Sequence, residues 1–234
     1  DISSHNLLCE ALACITPDVP VISEEHALEE NEKILRSFPV FWAIDPLDVT
    51  ANYAAGGNAY SINVALVENG VPVLGVLYFP GMEELYFTSD DGKAYKQVGK
   101  EPPRTIHVAR VHDGTQTAAI RPDTHATHAP AEENTLKVIF TRGQRRACLV
   151  ATGEATFCSE RAGFCIWDSA ATYAIVTAAG GTVEQHDGSP VRYNTALDLP
   201  PYFVGHPELL RHLHEVHPEH NLNEIPVPTK RKNA

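Results

Sequence analysis

Apolar residues recur at Leu7, Leu8, Leu12 and Ile15. That spacing predicts a helix over Ile2 to Ile15, ended by Pro17. Val19 to Ile22 reads as extended, and Leu28 to Leu35 returns to a helical pattern. Phe41-Trp-Ala-Ile44 is a short, unbroken apolar run of the kind found in a buried strand, with Asp45 at its carboxyl end. Ser61 to Val67 and Val71 to Phe79 are rich in β-formers and are separated by Glu68-Asn69-Gly70, where Asn-Gly is a strong hairpin signal. Leu85 to Thr88 and Ala94 to Gln97, joined by the turn residues Asp90-Asp91-Gly92, extend the same antiparallel meander.

After the apolar run Leu136 to Phe140, Gln144 to Thr152 reads as a helix and Ala155 to Cys158 as a short strand. Ser169 to Ala179 is an Ala-rich helix stopped by Gly180-Gly181, and a last helix is expected over Glu208 to Val216. Strands and helices alternate, which predicts an α/β chain built in layers. The organisation expected is an α+β region over 1–110, an α/β region over 111–216 and an irregular, polar tail over 217–234. No internal repeat is visible.

The chain of 234 residues is 43% hydrophobic, enough for a sizeable core. A formal charge of −12 argues against a nucleic-acid polymer as partner, because phosphate backbones are held by clustered Lys and Arg. A phosphorylated small molecule remains compatible with an acidic protein when metal ions invert the local charge. The five cysteines are odd in number and form no Cys-x-x-Cys pair, so a reducing, cytoplasmic setting is expected. The first residues lack the features of a signal peptide, and no apolar run approaches membrane-spanning length. The 12 histidines group best at His125 and His128 and at His212, His214, His217 and His220; none pairs with cysteine at zinc-finger spacing, so they read as solvated. Lys230-Arg-Lys232 reads as a solvated tail.

Asp45-Pro46-Leu47-Asp48-Val49-Thr50 places two carboxylates beside a rigid turn directly after an apolar strand. Such a segment can turn both carboxylates and a backbone carbonyl toward one point, the oxygen-rich donor set that Mg²⁺ prefers. Alone, Asp-x-x-Asp more often marks a turn or a helix cap than a metal site. Glu24 follows the extended Val19 to Ile22 segment and Asp168 precedes the Ala-rich helix, where a turn residue and an N-cap are the bland readings. Together the three acidic segments point to a metal cluster, since like charges brought together without cations repel.

Three ordered segments, Val21-Ile-Ser-Glu-Glu25, Trp42-Ala-Ile-Asp-Pro-Leu-Asp-Val-Thr50 and Ile166-Trp-Asp-Ser-Ala-Ala171 with Ala179-Gly-Gly181, resemble the motifs of the inositol monophosphatase-like superfamily. Within it, Thr16-Pro-Asp-Val-Pro-Val-Ile-Ser-Glu-Glu25, Asn63-Val-Ala-Leu66 and Gly75-Val-Leu-Tyr78 are most similar to the 3'(2'),5'-bisphosphate nucleotidases. The resemblance runs from Asp1 to about Tyr193. It implies a layered α/β/α/β/α sandwich of the inositol monophosphatase/fructose-1,6-bisphosphatase type and two or three Mg²⁺ ions. Glu24 and Asp45, with the carbonyl of Leu47 nearby, would hold one ion; Asp45, Asp48 and Asp168 would hold a second. Asp1 and Thr50 would orient or deprotonate the attacking water. Val49, Thr50, Arg145, Arg146 and Asp168 would face substrate.

The implied reaction removes the 3'-phosphate of 3'-phosphoadenosine 5'-phosphate by metal-activated water, needing no covalent nucleophile. Hydrolysis of inositol monophosphate is the alternative, toward which Thr50-Ala-Asn-Tyr53 leans, and a metal-binding homologue with weakened or no turnover is a third reading. A homodimer and lithium inhibition are family-level expectations. Two departures stand out. Val49 occupies the glycine position of Asp-Pro-Leu-Asp-Gly-Thr and is expected to weaken turnover without abolishing metal binding. Gly143-Gln-Arg-Arg-Ala147 replaces Gly-Ser-Ser-Leu-Lys, exchanging hydroxyls for guanidinium groups able to grip a second phosphate. Relatives carry helices before the first motif, so a segment upstream of Asp1 is expected.

Overall fold

The computed structural model describes residues 1–109, 117–120 and 137–216. The first helix, α1 (Ile2–Ile15), leads through Thr16 and Pro17 to strand β1 (Val21–Ser23), then α2 (Leu28–Ser37) and the long β2 (Val40–Asp48). A single helical turn, α3 (Thr50–Ala54), precedes the meander β3 (Ser61–Glu68), β4 (Val71–Phe79), β5 (Glu84–Thr88), β6 (Ala94–Val98) and β7 (Arg104–Ile106). There follow β8 (Thr117–Ile120), β9 (Lys137–Phe140), α4 (Arg145–Ala151), β10 (Phe157–Glu160), β11 (Phe164–Cys165) and α5 (Ile166–Ala178). The chain closes with β12 (Thr182–Gln185), β13 (Asp198–Leu199), β14 (Tyr202–Gly205) and α6 (Pro207–Val216).

Strands β1 to β7 form one sheet in chain order, parallel between β1 and β2 and antiparallel thereafter. The β3–β4 hairpin turns at Asn69 and Gly70, both with positive φ (51° and 78°), the left-handed pair that matches the natural twist of a two-residue turn. A second sheet runs in the order β12-β14-β10-β8-β9, and β11 pairs with β13 beside it.

Strand β2 is buried on both faces of the large sheet, which is why Phe41 to Ile44 reads as an unbroken apolar run. Trp42 and Ile44 pack with Leu8, Cys9 and Leu12 of α1 on one side. Phe41, Ala43, Ala65, Val67 and Leu77 join Ala170, Ala171 and Ile175 of α5 on the other. Helices α4 and α5 occupy the space between the sheets, and α6 lies against β14. The layers therefore run α/β/α/β/α, as the resemblance implies.

Several sequence expectations shift. The face of α1 that meets the sheet carries Leu8 and Leu12, while Leu7, one residue off that face, and Ile15, at the end of the helix, are exposed. The strand expected to finish at Ile44 continues to Asp48, and the helix expected from Ser169 begins at Ile166. Strands β12 and β14 were not anticipated. The boundary near residue 110, the clusters around His125 and His220 and the tail over 217–234 lie outside the described residues.

Close packing of α5 on β4 depends on Gly75, where an added Cβ would lie 2.3 Å from the Ala171 carbonyl oxygen. Gly75→Ala is predicted to push α5 off the sheet and to lower the unfolding free energy by about 1–3 kcal/mol, the usual scale of overpacking. A denaturant midpoint equal to wild type would contradict this packing.

Candidate active site

Regular strand geometry would send Asp45 and Asp48 to opposite faces of the sheet, because side chains alternate. The β2–β3 register pairs Asp45 with Asn63 and Asp48 with Ser61, so three steps on β2 oppose two on β3. That one-residue bulge restores both carboxylates to the same side. Pro46 lies inside the bulge, where the missing N–H costs no ladder bond.

The third carboxylate comes from α5. Asp168 is the third residue of that helix rather than its cap, and its Oδ2 accepts the Cys165 N–H at 2.6 Å. Asp45, Asp48 and Asp168 each offer an oxygen such that all three lie within 4.8 Å of one another. Asn63, fully buried, donates to the Asp168 carbonyl at 3.4 Å and accepts from Ser61 Oγ at 3.0 Å, tying the bulged strand to the start of α5. Glu24 follows β1 and donates its N–H to the Ile44 carbonyl at 3.4 Å. Its side chain is exposed and outside the close set, yet its charge acts on all three aspartates.

Electrostatics mark the site as incomplete without a cation. Asp45 is 1% exposed, and its carboxyl is held well above the usual range by burial and then by the charges of Asp48, Glu24 and Asp168. Its Oδ1 accepts the Leu47 N–H at 3.0 Å, while Oδ2 is buried with no hydrogen-bond partner. Burial also raises Asp48, against the opposing pull of the Val49 and Gln144 backbone N–H groups and the Arg146 charge. Asp168 is pushed up to about 7, first by burial and then by Asp48, Glu24 and Glu160, despite the Cys165 N–H. A buried, unpartnered carboxylate oxygen among like charges fits a divalent cation, and an all-oxygen donor set fits a hard one.

Around this centre, Leu47 offers its carbonyl, which already accepts from Thr50 Oγ1 at 3.0 Å but retains a second lone pair. Thr50 is exposed at the start of α3. Asp1 sits at the N-cap position of α1 without a side-chain capping bond, and the first turn of that helix reaches the bulge through Ser4 Oγ donating to the Pro46 carbonyl at 3.0 Å. A cleft of about 450 Å³ opens beside the aspartates, lined by Asp48, Arg161, Ala162, Gly163, Phe164 and Asp168.

Val49 is left-handed, at φ 62° and ψ 45°. For a β-branched residue that conformation is an outlier. It explains why glycine suits the position. The side chain also fills space over Gly143, where an added Cβ would come 2.7 Å from Val49 Cγ2 and 3.1 Å from Asp48 Oδ2.

The arginine expectations need correction. Arg146 has no exposed surface and is locked to Glu160, with Nε to Oε1 at 2.8 Å, so it supports Asp48 from within the protein and does not face substrate. Arg145 donates to Glu84, which Lys96 also grips at 3.0 Å, so its guanidinium is held in a shared ion pair against the large sheet. The basic residue that does line the cleft is Arg161, which sequence reading passed over. Its place between a short strand and the Asp168 segment was the available signal.

The profile of the inositol monophosphatase family matches residues 1–217. The chain is 31% identical over 202 residues to the 3'(2'),5'-bisphosphate nucleotidase CysQ of Salmonella typhimurium, covering 82% of this chain and 77% of that protein. The crystal structure of CysQ from Bacteroides thetaiotaomicron, a bacterial member of the same family, superposes with a TM-score of 0.70 at 29% identity, covering 85% of this chain and 81% of the other. Inositol monophosphatase-II from Staphylococcus aureus, at 17% identity, shares the fold with a TM-score of 0.74 over 95% of this chain and 83% of its own.

Two predictions follow from the strain and the charge. A left-handed L-residue costs about 1–2 kcal/mol, whereas glycine gives back about 0.4–1 kcal/mol through unfolded-state freedom. Val49→Gly should therefore raise the unfolding free energy by up to about 1 kcal/mol, and a lower denaturant midpoint would contradict the strain. For Asp168 the folded carboxyl sits near 7, above its ordinary 3.8, so the folded state binds more protons between those values. Its contribution to stability is intact at low pH and is lost as pH rises through about 7. The gain in melting temperature on adding Mg²⁺ to chelator-treated protein should accordingly grow between pH 4 and pH 7; a gain independent of pH would contradict the assignment.

Proposed function

The chain belongs to the inositol monophosphatase family of phosphatases, and we propose from that premise that it removes the 3'-phosphate of 3'-phosphoadenosine 5'-phosphate in a Mg²⁺-dependent reaction. The observation that carries the reading is the buried convergence of Asp45, Asp48 and Asp168, with Asp45 Oδ2 unpartnered. The nucleotide substrate is supported by the likeness to nucleotidases named for 3'(2'),5'-bisphosphates. The five free cysteines suit a reducing, cytoplasmic setting, and among the described residues no helix is long and apolar enough to cross a membrane.

Asp45, Asp48 and Asp168, with Glu24 and the Leu47 carbonyl at the edge, would hold Mg²⁺. When bound, the metal supplies positive charge that polarises the phosphate and lowers the pKa of water. Thr50 follows the bulge and Asp1 precedes the helix whose Ser4 meets it, and their part would be to orient the attacking water and accept its proton. As the water oxygen bonds to phosphorus, the bond from phosphorus to the ribose 3'-oxygen breaks, and that oxygen leaves as a hydroxyl after taking a proton. Arg161, which lines the cleft, would offer a guanidinium fork to the remaining phosphate. Asp168, which lines the same cleft, would meet the sugar hydroxyls.

The left-handed Val49 favours one further reading, a homologue that binds metal but turns over slowly, because its side chain stands where the phosphate would approach the backbone. Phosphate release from 3'-phosphoadenosine 5'-phosphate, measured with and without Mg²⁺ and beside inositol 1-phosphate, separates these readings. The expected result is Mg²⁺-dependent release that prefers the nucleotide and falls about 100-fold or more in Asp45→Asn, the scale of losing one electrostatic contact to the transition state. Preference for inositol 1-phosphate would overturn the substrate. Mg²⁺ binding with no release from either, restored in Val49→Gly, would favour the slow homologue.

A further inference from the structure

A second group of metal-ligating side chains lies on the outer flank of the large sheet. His5 and Cys9, one turn apart on α1, meet His26 from the segment between β1 and α2, and one ligand atom from each lies within 4.8 Å of the others. All three are half-buried, and no other described group of histidine and cysteine draws so close. We propose that His5, Cys9 and His26 form a binding site for a thiophilic divalent cation, Zn²⁺ in the first instance, separate from the carboxylate centre.

The geometry is close to what such an ion needs. Tetrahedral zinc with Zn–S of about 2.3 Å and Zn–N of about 2.0–2.1 Å sets sulfur and nitrogen about 3.5 Å apart. Cys9 Sγ stands 3.6 Å from His5 Nε2. The other ring nitrogen, His5 Nδ1, lies 2.9 Å from Ser23 Oγ, which fixes the ring and leaves Nε2 as the coordinating atom. His26 meets the His5 ring edge-on with centroids 4.9 Å apart, and its Nδ1 is buried without a hydrogen-bond partner. An unsatisfied buried nitrogen beside a thiol and a second imidazole is costly as it stands, and coordination would satisfy it. Glu25 and Glu30 act on His5 electrostatically but lie outside the close set, so water would supply the fourth ligand.

The two centres differ in chemistry. Oxygen donors at the aspartates suit a hard ion, whereas sulfur and nitrogen at His5, Cys9 and His26 suit a softer one. Zinc here would pin α1, which Asp1 precedes, to the segment that carries Glu24, bracing both against the carboxylate centre. Tail and loop histidines were the zinc candidates in the sequence; the group that converges uses an i, i+4 pair on a helix and a third residue brought in by the β1–β2 pairing.

Co²⁺ titrated into the full chain under reducing conditions, with Mg²⁺ in excess to occupy the carboxylates, reads the site directly. One equivalent is expected to give a sulfur-to-cobalt charge-transfer band with tetrahedral visible bands. Cys9→Ser should lose the sulfur band, and His26→Ala should weaken Co²⁺ binding about 10-fold or more, the least effect expected for a direct ligand. Asp45→Asn should keep both features. Zn²⁺ should raise the melting temperature of wild type in Mg²⁺ buffer and not that of His26→Ala, whose own fold is checked by its midpoint without Zn²⁺. Absence of a sulfur band in wild type, or a band that survives Cys9→Ser, would overturn the site.

Discussion

Three carboxylates with oxygens inside 4.8 Å of one another, one of them almost wholly buried, form the constraint around which the rest is arranged. Desolvation and mutual repulsion both oppose ionisation there, so Asp45, Asp48 and Asp168 are all held above their ordinary range. The surrounding dipoles oppose that trend only in part. Backbone N–H groups of Leu47, Val49, Gln144 and Cys165 point at the carboxylates, and the Arg146–Glu160 pair lies behind them. A cation would complete what these partial charges begin, and such a cation would let an acidic chain receive a phosphate.

The scaffold serves this arrangement through few contacts. A bulge between Asp45 and Asp48 puts both on one side of β2, buried Ser61 and Asn63 hold the bulge to α5, and Gly75 lets α5 lie close enough for Asp168 to arrive. Val49 is the point where local preference and site geometry conflict. The backbone there is left-handed although its side chain is β-branched, and Gly143, itself at φ 55°, leaves the space that Val49 fills. Strain of this kind persists only where neighbouring structure over-determines the backbone, here the bulge on one side and α3 on the other.

Much of this was legible in the chain. The Asn69-Gly70 hairpin, the buried run Phe41 to Ile44 and the ordered acidic segments give the meander, the buried strand β2 and the candidate ligands, because each rests on local chemistry. What depends on long-range pairing was not visible. Strand β14 pairs with β12 on one side and with β10 on the other, and no alternating pattern announces β12 or β14. Arg146 looks like a solvated helix residue from its neighbours, and only its meeting with Glu160, 14 residues on, shows it buried. The bulge is equally silent in sequence, since Asp-x-x-Asp says nothing of which face each carboxylate takes.

Mn²⁺ is a hard divalent ion that scatters anomalously, so a crystal grown or soaked with it locates the centre without reference to any substrate. Anomalous peaks are expected among Asp45, Asp48 and Asp168, with Asp45 Oδ2 a direct ligand. No peak there at neutral pH, with Asp45 Oδ2 still unpartnered, would contradict the claim that these carboxylates converge to hold a cation.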